Sequence, residues 1–341
     1  MKKIAVVILN WNGRKLLEQF LPSVIQHTNP EIAEVIVADN ASSDESIDFL
    51  QTNYPEIQRI LLDQNYGFAG GYNRALQELP HPYFVLLNSD VEVAPNWLEP
   101  LLELAESNSN IAAIQPKLKA WHNKNEFEYA GAAGGFIDYL GYPFCQGRIL
   151  NQLEEDHNQF DEIKDIFWAS GAALFIRGEL YKKLGGLDTD FFAHMEEIDL
   201  CWRLKNRGYQ IAYHPKSTVY HLGGGTLPMN HPRKLFLNFR NNLLMLYKNL
   251  PQNRLISTMF RRMIMDGVAA MKFLLSFEFS NFAAVFKAHM SFYKMLPAYQ
   301  QKRNQLLPFV KQNFHKEIYP DSMIIAFFLK KQKYFSQLKW K

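Results

Sequence analysis

The sequence has few cysteines and no long apolar run, and each absence excludes a class of protein. Cys145 and Cys201 are the two cysteines among 341 residues, which excludes a disulfide scaffold and is typical of a reducing compartment. No stretch approaches about 18 uninterrupted apolar residues, so we expect no ordinary membrane-spanning helix. The apolar run at 4–9 is too short for a signal peptide and predicts a buried strand. The chain also has no internal repeat, which excludes repeat arrays.

Charge is distributed unevenly along the chain, although the net charge is only +3. Residues 232–341 contain 19 Lys and Arg but four Asp and Glu, whereas residues 1–231 contain 18 basic and 30 acidic residues. This asymmetry predicts two parts with different surroundings. The basic part is expected either to pack on the core as a helical subdomain or to lie on an anionic membrane surface. Nucleic acid is not an expected partner, because no recognised binding motif accompanies the charge.

The first 115 residues alternate apolar runs with helical patterns, which indicates an α/β fold. Strands are predicted at 4–9, 35–38, 57–62, 83–87 and 111–114. The alternation implies a mainly parallel central sheet whose ligands bind at the carboxyl ends of the strands. Residues 116–165 contain five glycines and predict a loop-rich insertion, and the pattern from residue 234 onward is helical.

Carboxylate and amide side chains follow three of these strands. Asp39 follows the second strand, Asn65 the third, and the segment Asn88-Ser89-Asp90 the fourth. Such groups contact a base or a ribose, or hold a metal ion together with diphosphate oxygens. Taken singly, Asp39 and Asp90 are also ordinary capping or turn residues. Three such strand ends in one sheet favour a binding site.

Two glycine-rich segments carry further candidates. The segment 67–71, which begins at Gly67, lacks the Gly-x-Gly-x-x-Gly spacing of a dinucleotide site. It predicts either close approach of backbone amides to phosphate or tight packing of a helix on the sheet. His221 precedes the glycine run 223–225, which permits backbone approach to a ligand or closure of a loop over it.

The densest cluster of ionisable residues lies at 188–203, where a helix is predicted from Glu196. Glu196 and Asp199 share one face of that helix, and Asp199 is placed to form an ion pair with Arg203. Carboxylates in a first turn are also stabilised by the helix dipole, which is the purely structural interpretation. The spacing does not match a structural zinc site.

Eight segments occur in the order found in one known family. The chain resembles the family 2 inverting glycosyltransferases with the GT-A fold, in their rhamnosyltransferase-like branch. The resemblance covers roughly residues 1–250 and rests on segments 6–12, 35–44, 65–73, 86–90, 170–174, 185–188, 196–203 and 221–224.

The resemblance implies roles on the donor side of the site. Asp39 would contact the nucleotide base, and the loop from Asn10 to Asn12 would line the same pocket. Asn65, Gly67, Asn88 and Ser89 would belong to the donor site. The segment Asn88-Ser89-Asp90 stands where the family has an Asp-x-Asp-like metal motif, and only Asp90 keeps the carboxylate. Mg²⁺ or Mn²⁺ is therefore the implied cofactor. His221 corresponds to a position that touches the metal or the diphosphate in some relatives.

The resemblance also implies a catalytic base and an acceptor region. The family often has Glu-Asp where this chain has Glu196-Glu197, and its second position is the base. Glu197 is therefore the expected base, and Glu196 stays open as the alternative. The segment around Gly171 is expected near the sugar or the acceptor, and the acceptor region includes Asp199, Trp202 and Arg203.

These expectations combine into one hypothesis. A GT-A-type domain at 1–250 has a nucleotide-binding half at 1–115 and an acceptor and catalytic half at 116–250, and a basic helical region follows at 251–341. The chain would transfer a sugar from a dTDP- or UDP-sugar to a hydroxyl of a cell-surface glycan, and the branch suggests rhamnosyl transfer to a lipid-linked acceptor. It would act in the cytoplasm at the inner membrane face. The alternatives are a nucleotide-sugar-binding protein without catalysis and a dinucleotide-dependent oxidoreductase.

Overall fold

The computed structural model describes residues 2–223 and 231–340. The strands are β1 Ile4–Asn10, β2 Ala33–Asp39, β3 Gln58–Leu61, β4 Tyr83–Asn88, β5 Val91–Val93, β6 Ile111–Ala120, β7 Gly135–Asp138, β8 Pro143–Cys145, β9 Arg148–Ile149, β10 Gln152–Leu153, β11 Lys164–Ile166, β12 Ala173–Arg177, β13 Gln210–His221 and β14 Ile318–Tyr319. The α-helices are α1 Arg14–His27, α2 Ser46–Asn53, α3 Gly67–Gln77, α4 Glu99–Ser107, α5 Gly178–Lys183, α6 Glu196–Asn206, α7 Pro232–Asn249, α8 Gln252–Leu275, α9 Phe279–Leu306 and α10 Met323–Phe328.

The central sheet is parallel in one half and mixed in the other. Its strand order is β11-β13-β6-β12-β4-β1-β2-β3, and β5 pairs with β13. The strands β3, β2, β1 and β4 run parallel, as the alternating pattern predicts. The strand β12 lies antiparallel between β4 and β6, while β6 and β13 are parallel. The α/β class with a central sheet and a helical C-terminal region is confirmed.

Alternation along the strands builds one core on each face of the sheet. Ile4, Val6 and Ile8 of β1 are buried in one hydrophobic cluster, together with residues of α1 and α4. Ala5 and Val7 lie in the other, together with residues of α3 and α7. Because side chains alternate across a strand, each apolar run of the first half contributes to both cores. The polar residues that end these strands lie together at the carboxyl ends of the sheet.

One local prediction in the middle of the chain is wrong. The insertion at 116–165 is not merely loop-rich, because β7 to β10 form a second sheet in the order β10-β9-β8-β7-β14. These strands are two to four residues long, which is too short for a detectable alternation. The apolar runs at 210–213 and 218–220 are parts of the single strand β13, which has an irregularity between His214 and Thr218.

The C-terminal helices pack onto the α/β core. The predicted boundary at residue 250 falls in the turn between α7 and α8, and the division into two parts stays a prediction. Leu255 of α8, Phe292 and Tyr299 of α9, and Met323 of α10 belong to the same buried cluster as α3 and α6. β14 extends the small sheet by pairing with β7. Among the described residues, no helix is long and apolar enough to cross a membrane.

Candidate active site

The carboxyl ends of four strands bring the predicted donor residues to one edge of the sheet. Asn10 ends β1, Asp39 ends β2, Asn88 ends β4 and His221 ends β13. The register pairs Asn10 with Asp39 directly. His221 pairs with Val91, the first residue of β5, so it lies beside the turn at 89–90. The sequence-predicted strand ends therefore meet along one edge.

Asp39 is the centre of a buried hydrogen-bond cluster. Its Oδ1 accepts hydrogen bonds from Asn10 Nδ2 at 3.0 Å and Ser42 Oγ at 2.6 Å, and its Oδ2 accepts from Ser42 N at 2.8 Å. Asn12 Oδ1 accepts from Ser43 N at 2.7 Å, and both residues line a surface cleft at this edge. The turn-stabilising interpretation of Asp39 is thus realised. Its contact with a nucleotide base stays a prediction.

The loop that carries Asn65 and Gly67 is fixed by Asn40. The Asn40 side chain donates to Asn65 Oδ1 at 3.0 Å and to the Gly67 carbonyl at 3.1 Å, and it accepts from Tyr66 N at 2.9 Å. Gly67 has φ +69°, and a Cβ there would lie 2.9 Å from the ring of Phe192. The donor-side loop therefore touches the segment that precedes α6.

The glycines that follow serve packing of a helix on the sheet. A Cβ at Gly71 would lie 2.8 Å from the side chain of Leu9 on β1. The packing interpretation of segment 67–71 is therefore realised at Gly71, within α3.

Asp90, His221 and Glu128 form a nearly buried cluster of charged groups. Asp90 Oδ1 lies 3.1 Å from His221 Nε2, and Glu128 Oε1 lies 3.3 Å from His221 Nδ1. Burial alone would lower the pKa of His221, but Glu128 and Asp90 outweigh it and raise that pKa to about 10. Burial likewise opposes ionisation of Asp90, but the hydrogen bond from His221 outweighs it and lowers the pKa of Asp90.

The donor atoms of this cluster fit a divalent cation that is shared with a ligand. Asp90 Oδ1 and His221 Nε2 lie 3.1 Å apart, so a carboxylate oxygen and an imidazole nitrogen would both be within reach of one ion. His221 would have to release its proton to bind the ion. Within 2–223 and 231–340, no group of three His, Cys, Asp or Glu is arranged to hold a metal alone. Diphosphate and water oxygens would therefore have to complete the coordination. The glycine run 224–225 lies outside the described residues.

The loop before α6 has an unusual backbone conformation. Phe192, His194 and Met195 all have positive φ, between 63° and 75°. Such a conformation is costly for residues other than glycine, so surrounding contacts must hold it. The side-chain amide of Asn241 on α7 donates to the backbone oxygens of Phe191, Ala193 and His194, at 3.0, 2.9 and 2.8 Å.

Glu196 and Glu197 follow this loop and have different environments. Glu196 is buried, whereas Glu197 is half-buried. Each has a buried Oε2 atom without a hydrogen-bond partner in the described part of the chain. Burial, and then the neighbouring Glu197, raise the pKa of Glu196 well above its ordinary range. Burial raises the pKa of Glu197 to about 7. Glu197 thus combines access with a pKa suited to proton transfer near neutrality.

Gly171 leaves room beside Glu197. A Cβ at Gly171 would lie 3.2 Å from the ring of Phe68 and 3.9 Å from Cβ of Glu197. Phe68 belongs to the first turn of α3, next to the donor-side residue Gly67. The donor loop, Gly171 and Glu197 are therefore neighbours, as the resemblance implies.

Asp199, Arg203 and Trp202 do not reach this space. Asp199 and Arg203 form the predicted ion pair, with Arg203 Nε 2.8 Å from Asp199 Oδ2. Asp199 also accepts hydrogen bonds from Lys248 Nζ at 2.9 Å and Asn249 Nδ2 at 2.8 Å. Trp202 is buried, with its ring 5.3 Å from that of Phe167. All three belong to α6 and are buried in the core. We therefore propose that they position the helix and do not contact the acceptor.

Sequence reasoning missed three residues of the site. Glu128 comes from the irregular insertion and Asn241 from α7, and no local pattern marks either. Asn40 directly follows Asp39, but its role depends on a loop 25 residues further on. Contacts over such separations have no signal in a single sequence.

Comparisons with known proteins identify the family. Residues 5–177 match the family described as Glycosyl transferase family 2. A Mycobacterium tuberculosis protein, N-acetylglucosaminyl-diphospho-decaprenol L-rhamnosyltransferase, is 25% identical over 236 residues, covering 64% of this chain and 75% of its own. The structure of GalNAc-T7 with UDP, GalNAc and Mn²⁺ aligns with TM-score 0.57 at 18% identity, covering 73% of this chain and 48% of its own.

A second solved structure aligns over most of both chains. The mannosyltransferase PcManGT from Pyrobaculum calidifontis, in complex with GDP-Man and Mn²⁺, gives a TM-score of 0.53 at 13% identity. The alignment covers 91% of this chain and 86% of that one. The architecture is the GT-A fold. The chain belongs to glycosyl transferase family 2, and its activity class is sugar transfer in glycan biosynthesis. This membership excludes the dinucleotide-dependent oxidoreductase.

Proposed function

We propose that this transferase moves a sugar from a nucleoside-diphosphate sugar to a hydroxyl of a lipid-linked cell-surface glycan, with inversion at the anomeric carbon. The observation that carries the proposal is the half-buried Glu197, whose Oε2 lacks a partner among the described residues. It stands beside Gly171 and next to the donor-side loop at Gly67. A carboxylate in that position is suited to receive a proton from an acceptor hydroxyl.

The reaction then needs no covalent intermediate on the protein. Glu197 takes the proton of the acceptor hydroxyl while that oxygen forms a bond to the anomeric carbon. The bond from the anomeric carbon to the diphosphate breaks, and its electrons leave with the nucleoside diphosphate. Attack opposite the leaving group inverts the anomeric centre.

Asp90 and His221 would hold a divalent cation, Mg²⁺ or Mn²⁺. When bound, such a cation supplies positive charge against the diphosphate, where negative charge develops. Asp39, Asn10 and Asn12 would orient the nucleoside at the neighbouring strand ends. The solved structures described above contain Mn²⁺ with UDP or GDP-Man, which supports this assignment for the shared fold.

The relatives support the proposed donor and acceptor classes. The M. tuberculosis relative is named as a rhamnosyltransferase that acts on a diphospho-decaprenol, which supports a dTDP- or UDP-sugar donor and a lipid-linked acceptor here. An acceptor of that kind would place the protein at the inner face of the cell membrane. Calorimetry with nucleoside diphosphates would identify the nucleotide, and turnover assays with sugars carried on that nucleotide would identify the sugar.

Calorimetry with UDP, dTDP and GDP tests the donor site. We expect one nucleoside diphosphate to bind more tightly with Mn²⁺ than without it, and Asp90→Ala to abolish that difference. Binding that is indifferent to Mn²⁺ and unchanged in Asp90→Ala would refute the metal assignment.

Single-turnover assays test the base. They use nucleotide sugars that carry the nucleoside diphosphate identified by calorimetry. We expect Glu197→Gln to bind the donor like the wild type but to lower the rate by a factor of about 10² to 10⁴. The matched variant Glu196→Gln is expected to keep most of the rate. A larger loss in Glu196→Gln would transfer the role of base to Glu196. Donor binding without turnover in the wild type, with any of the glycan acceptors supplied, would favour the binding protein without catalysis.

A further inference from the structure

The outward side of α8 carries a stripe of exposed apolar residues from Ile256 to Leu275. Ile256, the first residue of the stripe, is 79% exposed, and Leu275, the last, is 74% exposed. The exposed residues recur at intervals of three or four and therefore form one stripe on the helix: Ile256, Phe260, Ile264, Val268, Met271 and Leu275. A groove along this stripe is open to solvent around Gly267.

The stripe continues around the turn onto α9. Phe277 and Phe279, in and after the turn between the helices, are 80% and 59% exposed. Phe286, Met290 and Tyr293 of α9 are exposed as well and recur at helical spacing. We call the α8 stripe, Phe277, Phe279 and these three residues of α9 the docking face. Contiguous exposed apolar surfaces of this kind mark interaction sites.

Two charged residues of α8 are buried although its outward stripe is apolar, and Arg254, Arg261 and Lys272 are exposed. The buried pair is Arg262 and Asp266, which point inward. Arg262 Nε lies 2.7 Å from Asp266 Oδ1, and His289 Nε2 of α9 lies 3.2 Å from Asp266 Oδ2. Asp266 thus pairs with Arg262 and His289 inside the protein, while the apolar stripe of α8 is exposed to solvent. Insertion of the apolar stripe into an apolar medium would remove these exposed side chains from water.

Basic side chains border the docking face. Residues 252–294 contain six Lys and Arg but only Asp266 and Glu278 as acids. Lys272 Nζ lies 6.0 Å from the ring of Phe328, so the end of α10 adjoins α8. The lysines at 330, 331 and 333 follow directly and are exposed, as is Leu329. An apolar surface with a basic border matches the acyl and headgroup layers of an anionic membrane.

We propose that the docking face inserts into an anionic lipid monolayer, with Phe277 and Phe279 deepest and Lys272 of α8 and the lysines that follow α10 at the headgroups. The inference deepens the proposed function, on which it rests for the lipid-linked acceptor that the membrane would present. Docking itself requires neither donor nor acceptor. Its failure is therefore distinguishable from a failure of the transferase site.

Vesicle flotation of the full chain tests the proposal. We expect the chain to float with phosphatidylcholine vesicles that contain about 30% phosphatidylglycerol and to bind pure phosphatidylcholine much more weakly. The triple variant Leu275→Ser, Phe277→Ser, Phe279→Ser should weaken binding on the order of tenfold or more. Each of Lys330→Gln, Lys331→Gln and Lys333→Gln should weaken binding to the anionic vesicles about fivefold.

A matched control carries serine at exposed apolar positions elsewhere. Leu61 ends β3 and Ile163 precedes β11, and both are more than half exposed. The double variant Leu61→Ser, Ile163→Ser should bind vesicles like the wild type. Circular dichroism and melting temperature should match for all variants, because each altered side chain is exposed.

Two results would overturn the proposal. One is vesicle binding that is absent, or that the Leu275, Phe277 and Phe279 substitutions leave unchanged. The other is a dimer in sedimentation experiments that these substitutions dissolve, without vesicle binding, which would assign the face to a second copy of the chain. Nucleoside-diphosphate binding should be equal in all these variants. Its absence from the wild type would refute the donor site and would leave the vesicle result standing.

Discussion

The side-chain amide of Asn241 lies 2.8 Å from the backbone oxygen of His194, two residues before Glu196. Asn241 is fully buried on α7, and it donates to the Phe191 and Ala193 carbonyls as well. It thereby fixes a loop in which His194 and Met195 have left-handed backbone conformations. The position of Glu197 is thus set by a helix that begins more than 30 residues later in the chain.

Asn241→Ala should therefore lower kcat more than it raises the KM for the donor. The loop at 191–195 would lose three hydrogen bonds and relax, and displacement of a catalytic group by about 1 Å costs on the order of a hundredfold in rate. Steady-state kinetics of the purified variant measure both constants. Asn238→Ala on the same helix is the control, since the Asn238 side chain is only half-buried. A change confined to donor KM would contradict a role in positioning Glu197.

The rate should depend on pH through Glu197. Burial raises the pKa of Glu197 to about 7, and only the ionised form accepts a proton. Hence kcat/KM should fall about tenfold per pH unit well below 7 and level off above it. Stopped assays across this range measure the profile, with donor binding followed in parallel to separate catalysis from binding. A rate that stays constant down to about pH 5 would argue against Glu197 as the base.

Glu196 should make folding less favourable as the pH rises. Burial and then Glu197 raise the pKa of Glu196 well above its ordinary value, so the folded chain keeps a proton that the unfolded chain releases above about pH 4.3. Between that pH and the raised pKa, the free energy of unfolding decreases as the pH increases. Glu196→Gln removes this dependence.

Denaturant unfolding at two pH values measures the effect. The free energy of unfolding of Glu196→Gln minus that of the wild type is the quantity to compare. This difference should be larger at about pH 8 than at about pH 5, by on the order of 1 kcal/mol or more. The exposed Glu179 supplies the control, since Glu179→Gln should change stability little at either pH. An equal difference between Glu196→Gln and the wild type at both pH values would contradict the assignment.

Most strands of the first half could be predicted because β1, β2 and β4 are buried, largely apolar runs, whereas β3 is partly exposed and contains Gln58 and Arg59. The run at 4–9 becomes β1, and the polar residues that end the runs, such as Asp39 and Asn88, stand at the strand ends where the pattern predicts them. Local sequence determines both features, because burial on two faces requires apolar side chains at every position. The strand-end cluster that we propose as the donor site was therefore accessible from the sequence.

The second half could not be predicted in the same way. Nothing local to β12 indicates that it enters between β4 and β6 in the opposite direction. His214 and Pro215 interrupt the apolar pattern of β13, so one strand looks like two. The partner of His221 is Glu128, 93 residues earlier, and that contact exists only because β13 and β6 are neighbours in the sheet. Long-range pairing decides these features.

Lys248 supplies the last prediction, because it joins α7 to the segment that precedes α6 and to α6 itself. Its Nζ lies 2.9 Å from Asp199 Oδ2 and also pairs with Asp188, and all three side chains are buried or nearly so. Burial opposes ionisation of Asp188, but Lys248 and Lys302 outweigh it and hold its pKa well below the ordinary range. Lys248→Met would leave buried carboxylates short of a partner.

We expect Lys248→Met to lower the free energy of unfolding by about 3–5 kcal/mol near neutral pH. The lowered pKa of Asp188 stabilises the fold above about pH 4, and this contribution is lost as the pH falls, so the deficit of the variant should shrink in acid. Denaturant unfolding at neutral and acidic pH measures both effects. Lys183→Met, at an exposed position on α5, should stay within about 0.5 kcal/mol of the wild type. A deficit that is small at neutral pH, or that grows in acid, would show that Lys248 is not the counter-ion of these carboxylates.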